Sequence, residues 1–288
     1  MKRSLGFGLI GSTVAFGLAG FFLRRWQLKD AFEEATGLLA PGRPSTAALV
    51  AVMALAAVVI AALSVAVLRG KVRGGYLANL AAPNLAVGIF TLAAGALLFA
   101  GGVLGIRDYA LHMNERVVRL VLSICLVPTG VAVGLIGLLG QQRKEAKGRF
   151  SAVLTVPGYC ACVWLIASYQ GHTANPNIME YAFLLLGIMC VTFACYAAAS
   201  FSFEKPRPVM CGAFSALGAV LLTVSAADLG WGMELLVVLG FALHLLVQLF
   251  CLTWCRVAPP QLEQWTPPPP EEEPARDEQE QPRGEEDE

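Results

Sequence analysis

Charge is scarce in this chain. Only 15% of its 288 residues are Asp, Glu, Lys or Arg, against 56% hydrophobic. A soluble domain of this size needs far more polar surface to face water, so an ordinary globular fold is excluded. Histidine is rarer still. Of His112, His172 and His244 only the last falls inside an apolar run, which excludes a haem held between two histidines within a helix bundle. Cysteine is present but misplaced for crosslinking. Cys125, Cys160, Cys162, Cys190, Cys195, Cys211, Cys251 and Cys255 all lie within apolar runs or at their cytoplasmic ends, so they read as small buried hydrophobes and not as a disulfide framework.

Reaction signatures are missing as well. The chain has no glycine-rich G-x-x-x-x-G-K-[ST] phosphate loop, no H-E-x-x-H pair for zinc and no G-x-S-x-G nucleophile turn. Before the C-terminal tail, no stretch between apolar runs exceeds about twenty residues, too few for a soluble catalytic domain. No basic motif supports nucleic acid binding. No bound cofactor or metal is expected, and no internal similarity between the first and last four apolar runs suggests the inverted repeats of many transporters.

What the chain does have is length in its apolar runs. Eight are long enough to cross a hydrocarbon layer of ~30 Å as helices. They run over about 5–23, 46–68, 83–106, 117–140, 151–169, 179–201, 210–229 and 232–255. The expected fold class is therefore all-α, a polytopic membrane helix bundle over 1–256. Residues 257–288 form a second region, a proline-rich acidic tail. The zero net charge conceals this division: Met1 to Arg256 holds 19 basic against 10 acidic residues, and the rest 2 against 11. From Gln261 onward the tail lacks the apolar surface that would repay ordering, so disorder is expected.

Orientation follows from the basic residues, which are preferentially retained on the cytoplasmic side. With the N-terminus inside, the inner segments hold twelve Lys and Arg and the outer segments seven. Four of the seven, Arg24, Arg25, Lys29 and Arg43, lie in the first outer loop. A plasma membrane location with both termini cytoplasmic is expected, as is full crossing by the first run, although a re-entrant first segment would also keep the later loops in place. Within the first loop, Leu28, Phe32, Ala35 and Leu39 recur at helical spacing and predict an amphipathic helix lying on the outer leaflet or packed on the bundle.

Small residues supply the helix contacts. Gly101 and Gly105, and Gly130 and Gly134, have the spacing that lets backbones approach within lipid, and packing within one bundle is the expected use. Pro128 should kink its helix.

Ionisable groups deep in a membrane would point to function, since each costs roughly 2.5–3.5 kcal/mol on insertion scales. The mid-span candidate is a polar pair, His244 with Gln248 one turn on. It reads either as part of a substrate or proton path or as an interhelical hydrogen bond. The outer segments hold a second candidate, a polar cluster of Asp108, His112, Glu115, His172, Glu180, Asp228 and Glu234. Imidazoles and carboxylates in that number could form an acid–base pair or a shallow site for a polar headgroup, but their spacing matches no metal motif.

Two functions fit these residues. One is a non-enzymatic membrane module, a transport-associated subunit or scaffold, whose tail from Gln261 to Glu288 docks a cytoplasmic protein partner. The other is a membrane-embedded enzyme or ligand-binding protein acting on a lipid or small amphiphile at the outer surface. The expected partners are the lipid bilayer and, through the acidic tail in the first reading, a cytoplasmic protein.

Overall fold

The computed structural model describes residues 2–32, 39–40, 42–70, 75–82, 84–111, 117–141, 151–172, 178–203 and 205–257, with backbone alone for 2–3 and 178–180. The tail from residue 258 onward lies outside them. Among the described residues, eight helices are long and apolar enough to cross a membrane: α1 (Lys2–Asp30), α2 (Pro44–Leu68), α4 (Leu85–Leu111), α5 (Val117–Leu139), α6 (Ser151–His172), α7 (Ile178–Ser202), α8 (Pro208–Ser225) and α9 (Met233–Val257). Between α2 and α4 lies a single helical turn, α3 (Leu77–Leu80). The chain is a multi-span, all-α membrane protein. With no water to satisfy a backbone inside lipid, helices that close their own hydrogen bonds are the available solution.

Successive spans run antiparallel, and the pattern of packing is a ring. α4 packs on α5, α5 on α6, α6 on α7, α7 on α8, α8 on α9, and α9 returns to α4. The α1–α2 hairpin docks outside this ring, chiefly against α8. A Cβ added at Gly6 would lie 3.9 Å from Thr253 and Val257, so the first turns of α1 stand beside the last turns of α9. Both helical termini thus share one end of the bundle, here the terminal end; the other is the distal end. Large apolar side chains such as Val58, Phe90, Ile124 and Ile166 are more than half exposed on the exterior, as a lipid-facing surface requires.

The closest seam joins α4 to α5. A Cβ at Gly95 would lie 2.5 Å from the Gly130 carbonyl, and one at Gly130 would lie 2.6 Å from the Gly95 carbonyl, so only glycine permits this crossing. Gly102 meets the Ser123 carbonyl at 2.9 Å in the same way. Of the four glycines expected to pack, Gly130 and Gly105 are tightly enclosed. Gly101 instead faces Val237 of α9, and Gly134 meets Leu92 at an ordinary 3.5 Å. α5 runs through Pro128 without a break.

The first connection differs from expectation. α1 continues without interruption to Asp30, carrying Leu28 with it, and Phe32 then pairs with Leu39 in an isolated antiparallel bridge. A continuous helix from Leu28 to Leu39 would set those two residues far apart, so the expected amphipathic helix does not run through both of them; Ala35, with the rest of 33–38, lies outside the described residues. The physical reason lies in α2. The Gln27 amide donates to Thr46 Oγ1 at 2.9 Å and Ser45 Oγ donates to Asp30 at 2.9 Å, which requires the chain to reverse immediately after α1.

At the terminal end, the connection from α2 to α4 folds inward. Tyr76, Leu77, Ala78, Asn79 and Leu80 are all buried, and α3 packs on α9. Gly75, with φ of +86°, makes the turn that admits this segment. Ala82 N–H donates to the Gly140 carbonyl at 2.8 Å, and Cys255 Sγ donates to the Ala81 carbonyl at 3.5 Å. The segment that follows α3 is thereby tied to the end of α5 and to α9. Burial pushes the Tyr76 phenol well above the ordinary tyrosine value.

Candidate ligand-binding cleft

Inside the ring, at the distal end, the helices leave a cleft of about 400 Å³. Its walls come from α5, α6, α7 and α9. Leu122, Leu184, Met233, Val237 and Val238 make it apolar below, and Arg119, Ser168, Gln170, His172 and Glu234 give it a polar rim. Trp164 lines it and stacks on Phe241 of α9, with ring centroids 5.3 Å apart and planes 14° from parallel. Phe241 is fully buried, and the pair belongs to the packed apolar core beside the cleft.

The rim is ordered by its own contacts. Arg119 Nη2 donates to Glu234 Oε1 at 2.8 Å, tying α5 to the first turn of α9 across the opening. Both side chains are about half exposed, so the pair contributes little to stability and its charges remain accessible. His172, in the last turn of α6, stands 2.8 Å through Nδ1 from the Ser168 carbonyl, and its ring stacks on Tyr181 at 4.8 Å. Those contacts fix the imidazole at the edge of the cleft.

The residues of the expected polar cluster have separate placements. His172 and Glu234 line the cleft. Asp108 is half-buried near the end of α4 and is not part of the cleft wall. Asp228 points elsewhere: it receives Arg24 Nε at 2.8 and 3.1 Å and Nη2 at 2.9 Å. His112 and Glu115 lie outside the described residues, as does the side chain of Glu180. Among the described residues, no three His, Cys, Asp or Glu side chains gather as they would around a metal ion.

His244 and Gln248 are both buried in α9 but do different things. Gln248 Nε2 reaches the Ala194 carbonyl of α7 at 3.3 Å, and Cys211 Sγ and Ser215 Oγ of α8 at 3.2 and 3.0 Å. It is an interhelical hydrogen-bonding residue. Among the described residues, His244 Nδ1 has no hydrogen-bond partner.

Sequence reasoning missed two features. Arg119 was counted only for its charge, and Trp164 was not singled out, because membership of the cleft depends on how α5 and α6 rotate within the ring. The ion pair of Arg24 with Asp228 was also missed, although it left a trace. Gly6, Leu9, Thr13, Gly17 and Gly20 form the buried stripe of α1, and the same three-and-four spacing leads to Arg24 and Gln27, both fully buried. Extending the small-residue register past the apolar run would have marked Arg24 as an inward-facing charge in need of a partner.

Compared with protein-family models, curated proteins and solved structures, the chain matches none.

Proposed function

We propose that this chain is a non-enzymatic plasma-membrane protein that holds a small amphiphile in its distal cleft. The observation that carries this reading is the cleft itself, apolar below and polar at the rim, at one end of a membrane-spanning ring. Its volume falls within the range of about 300–1,000 Å³ usual for small-molecule sites. The apolar part of a ligand would lie against Leu122, Leu184 and Val238 and its polar head would meet Arg119, Gln170 and Glu234.

Binding is favoured over catalysis because the ionisable rim groups are already engaged. Glu234 is paired with Arg119, and the His172 ring is set against Ser168 and Tyr181, so neither is arranged as a free base beside a nucleophile. In this reading the distal end faces outward. The excess of Lys and Arg in the segments at the terminal end supports that orientation. The acidic segment from Gln261 to Glu288 then lies in the cytoplasm, where it would dock a protein partner.

The test is mass spectrometry of lipids and small molecules retained by the full-length protein in native-lipid nanodiscs, beside Leu184→Trp, which fills the cleft from α7. One amphiphile should be enriched over the bulk membrane and lost from the variant. Identical profiles for both proteins would refute the proposal.

A further inference from the structure

The charges on the wall of the distal cleft narrow what it can hold, and this inference rests on the reading of that cleft as an amphiphile site. Among the described residues, two Asp, Glu, Lys or Arg side chains line it, Arg119 and Glu234, one of each sign. They stand 2.8 Å apart, Nη2 to Oε1, and both are about half exposed. The rim therefore presents a dipole and not a net charge. A head with a single charge, of either sign, is drawn to one member and repelled by the other at nearly the same range, so the two effects largely cancel. A neutral head meets no such conflict but gains hydrogen bonds alone.

A head that carries both signs escapes the cancellation. A carboxylate has about four lone-pair sites and a guanidinium five N–H donors, far more than the single Nη2 to Oε1 contact between Arg119 and Glu234 uses. An ammonium can therefore join the pair on the Glu234 side and an anion on the Arg119 side. The four charges then alternate in sign, and the ion pair is extended instead of broken. Ser168 and Gln170, on the α6 side of the rim, add neutral polar groups beside it. The apolar wall below, with Leu122 and Val238, receives the chain of the ligand.

We propose that the distal cleft selects a zwitterionic amphiphile, one whose head carries an ammonium together with a phosphate or carboxylate. The ammonium is set against Glu234 and the anion against Arg119. Discrimination between heads comes from the ion pair, and affinity from the apolar wall. Reversing the two charges keeps the dipole, so it keeps the preference, whereas removing either one leaves a net charge and changes which head is favoured.

Competition binding to the full-length protein, read by native mass spectrometry, tests it. The probes have one chain of equal length and four heads: lysophosphatidylethanolamine, a fatty acid, an alkylamine and a monoacylglycerol. Retention is counted as the part lost in Leu184→Trp, which fills the cleft. The zwitterion should be retained about fivefold over each of the others, equivalent to about 1 kcal/mol, the upper end for exposed ion pairs. Arg119→Gln should move the preference to the alkylamine and Glu234→Gln to the fatty acid, while Arg119→Glu combined with Glu234→Arg restores the order of the parent, which a structural loss would not do. Glycerophosphoethanolamine, the head without a chain, should bind at least about tenfold more weakly, since the apolar wall goes unused. Equal retention of all four heads, or an order that neither single substitution moves, would overturn the selectivity and leave the cleft an amphiphile site. Tight binding of the chainless head would support the selectivity but assign the cleft to a soluble zwitterion. Retention of no probe would overturn both readings.

Discussion

Replacing Asp228 with Asn should destabilise the bundle by about 3 kcal/mol. Arg24 is fully buried, and its guanidinium meets the Asp228 carboxylate at 2.8–3.1 Å, Gln27 Oε1 at 2.7 Å, and the rings of Phe32 and Phe183, each 5.7 Å away. Removing one member of a buried pair costs about 3–5 kcal/mol, because the remaining charge stays in a poorly solvating site. The Asp228 side chain is 18% exposed, so some water reaches the vacated position and the lower end of that range applies. About 3 kcal/mol is a loss of roughly 150-fold in the folding equilibrium.

The cost belongs to the unpaired charge and not to a missing attraction, which a second substitution separates. Arg24→Met with Asp228→Leu removes both charges and should recover all but about 1 kcal/mol, the residue reflecting Gln27 Oε1, which loses its donor. Equilibrium unfolding by SDS titration in mixed micelles, followed by tryptophan fluorescence, measures each variant. Arg43→Ala serves as a comparison, since Arg43 and Asp30 are 4.0 Å apart and both substantially exposed. That substitution should cost under about 1 kcal/mol. A loss below 1 kcal/mol for Asp228→Asn, or additive losses in the double variant, would refute the reasoning.

Two further outcomes follow from the same geometry. Gly130→Ala should cost about 1–3 kcal/mol in the same unfolding assay, because its Cβ would press on the α4 backbone, whereas Gly134→Ala, with Leu92 at 3.5 Å, should change stability by less than about 0.5 kcal/mol. In an alkaline titration of tyrosine absorbance, Tyr76 should stay protonated past the ordinary value near 10, so Tyr76→Phe should leave the native titration curve below pH 11 unchanged in amplitude. The sign for stability follows: the folded state keeps a proton that the unfolded state releases above about pH 10, so this contribution falls as pH rises beyond that point.

How much of this was legible beforehand depends on the range of the interaction. Eight spans could be read because crossing a membrane needs only enough consecutive apolar residues, a property of each segment by itself. Their ends were less legible. α4 runs to Leu111 and α1 to Asp30, past the apolar stretches that mark them, and in α1 the helix continues through Arg24 because Asp228 satisfies that charge. Glycine spacing announced close packing but not its partners, and Gly101 and Gly134 share a motif with Gly105 and Gly130 without sharing their tight enclosure.

The sites show the same division. Composition alone determined a multi-span helical chain with little charge inside it, and the periodicity of α1 held, unread, the inward register of Arg24. Tertiary structure decided that His172 and Glu234 border one cleft while Asp228 serves an ion pair, and that His244 meets a pocket while Gln248 binds two other helices. The physical reason is rotational. A hydrophobic run fixes that a helix lies in the membrane, but lipid and protein are nearly equal solvents for apolar side chains. Which face turns inward is then settled by close glycine contacts and by polar groups that must find partners, and those partners lie as far as 204 residues away in the chain.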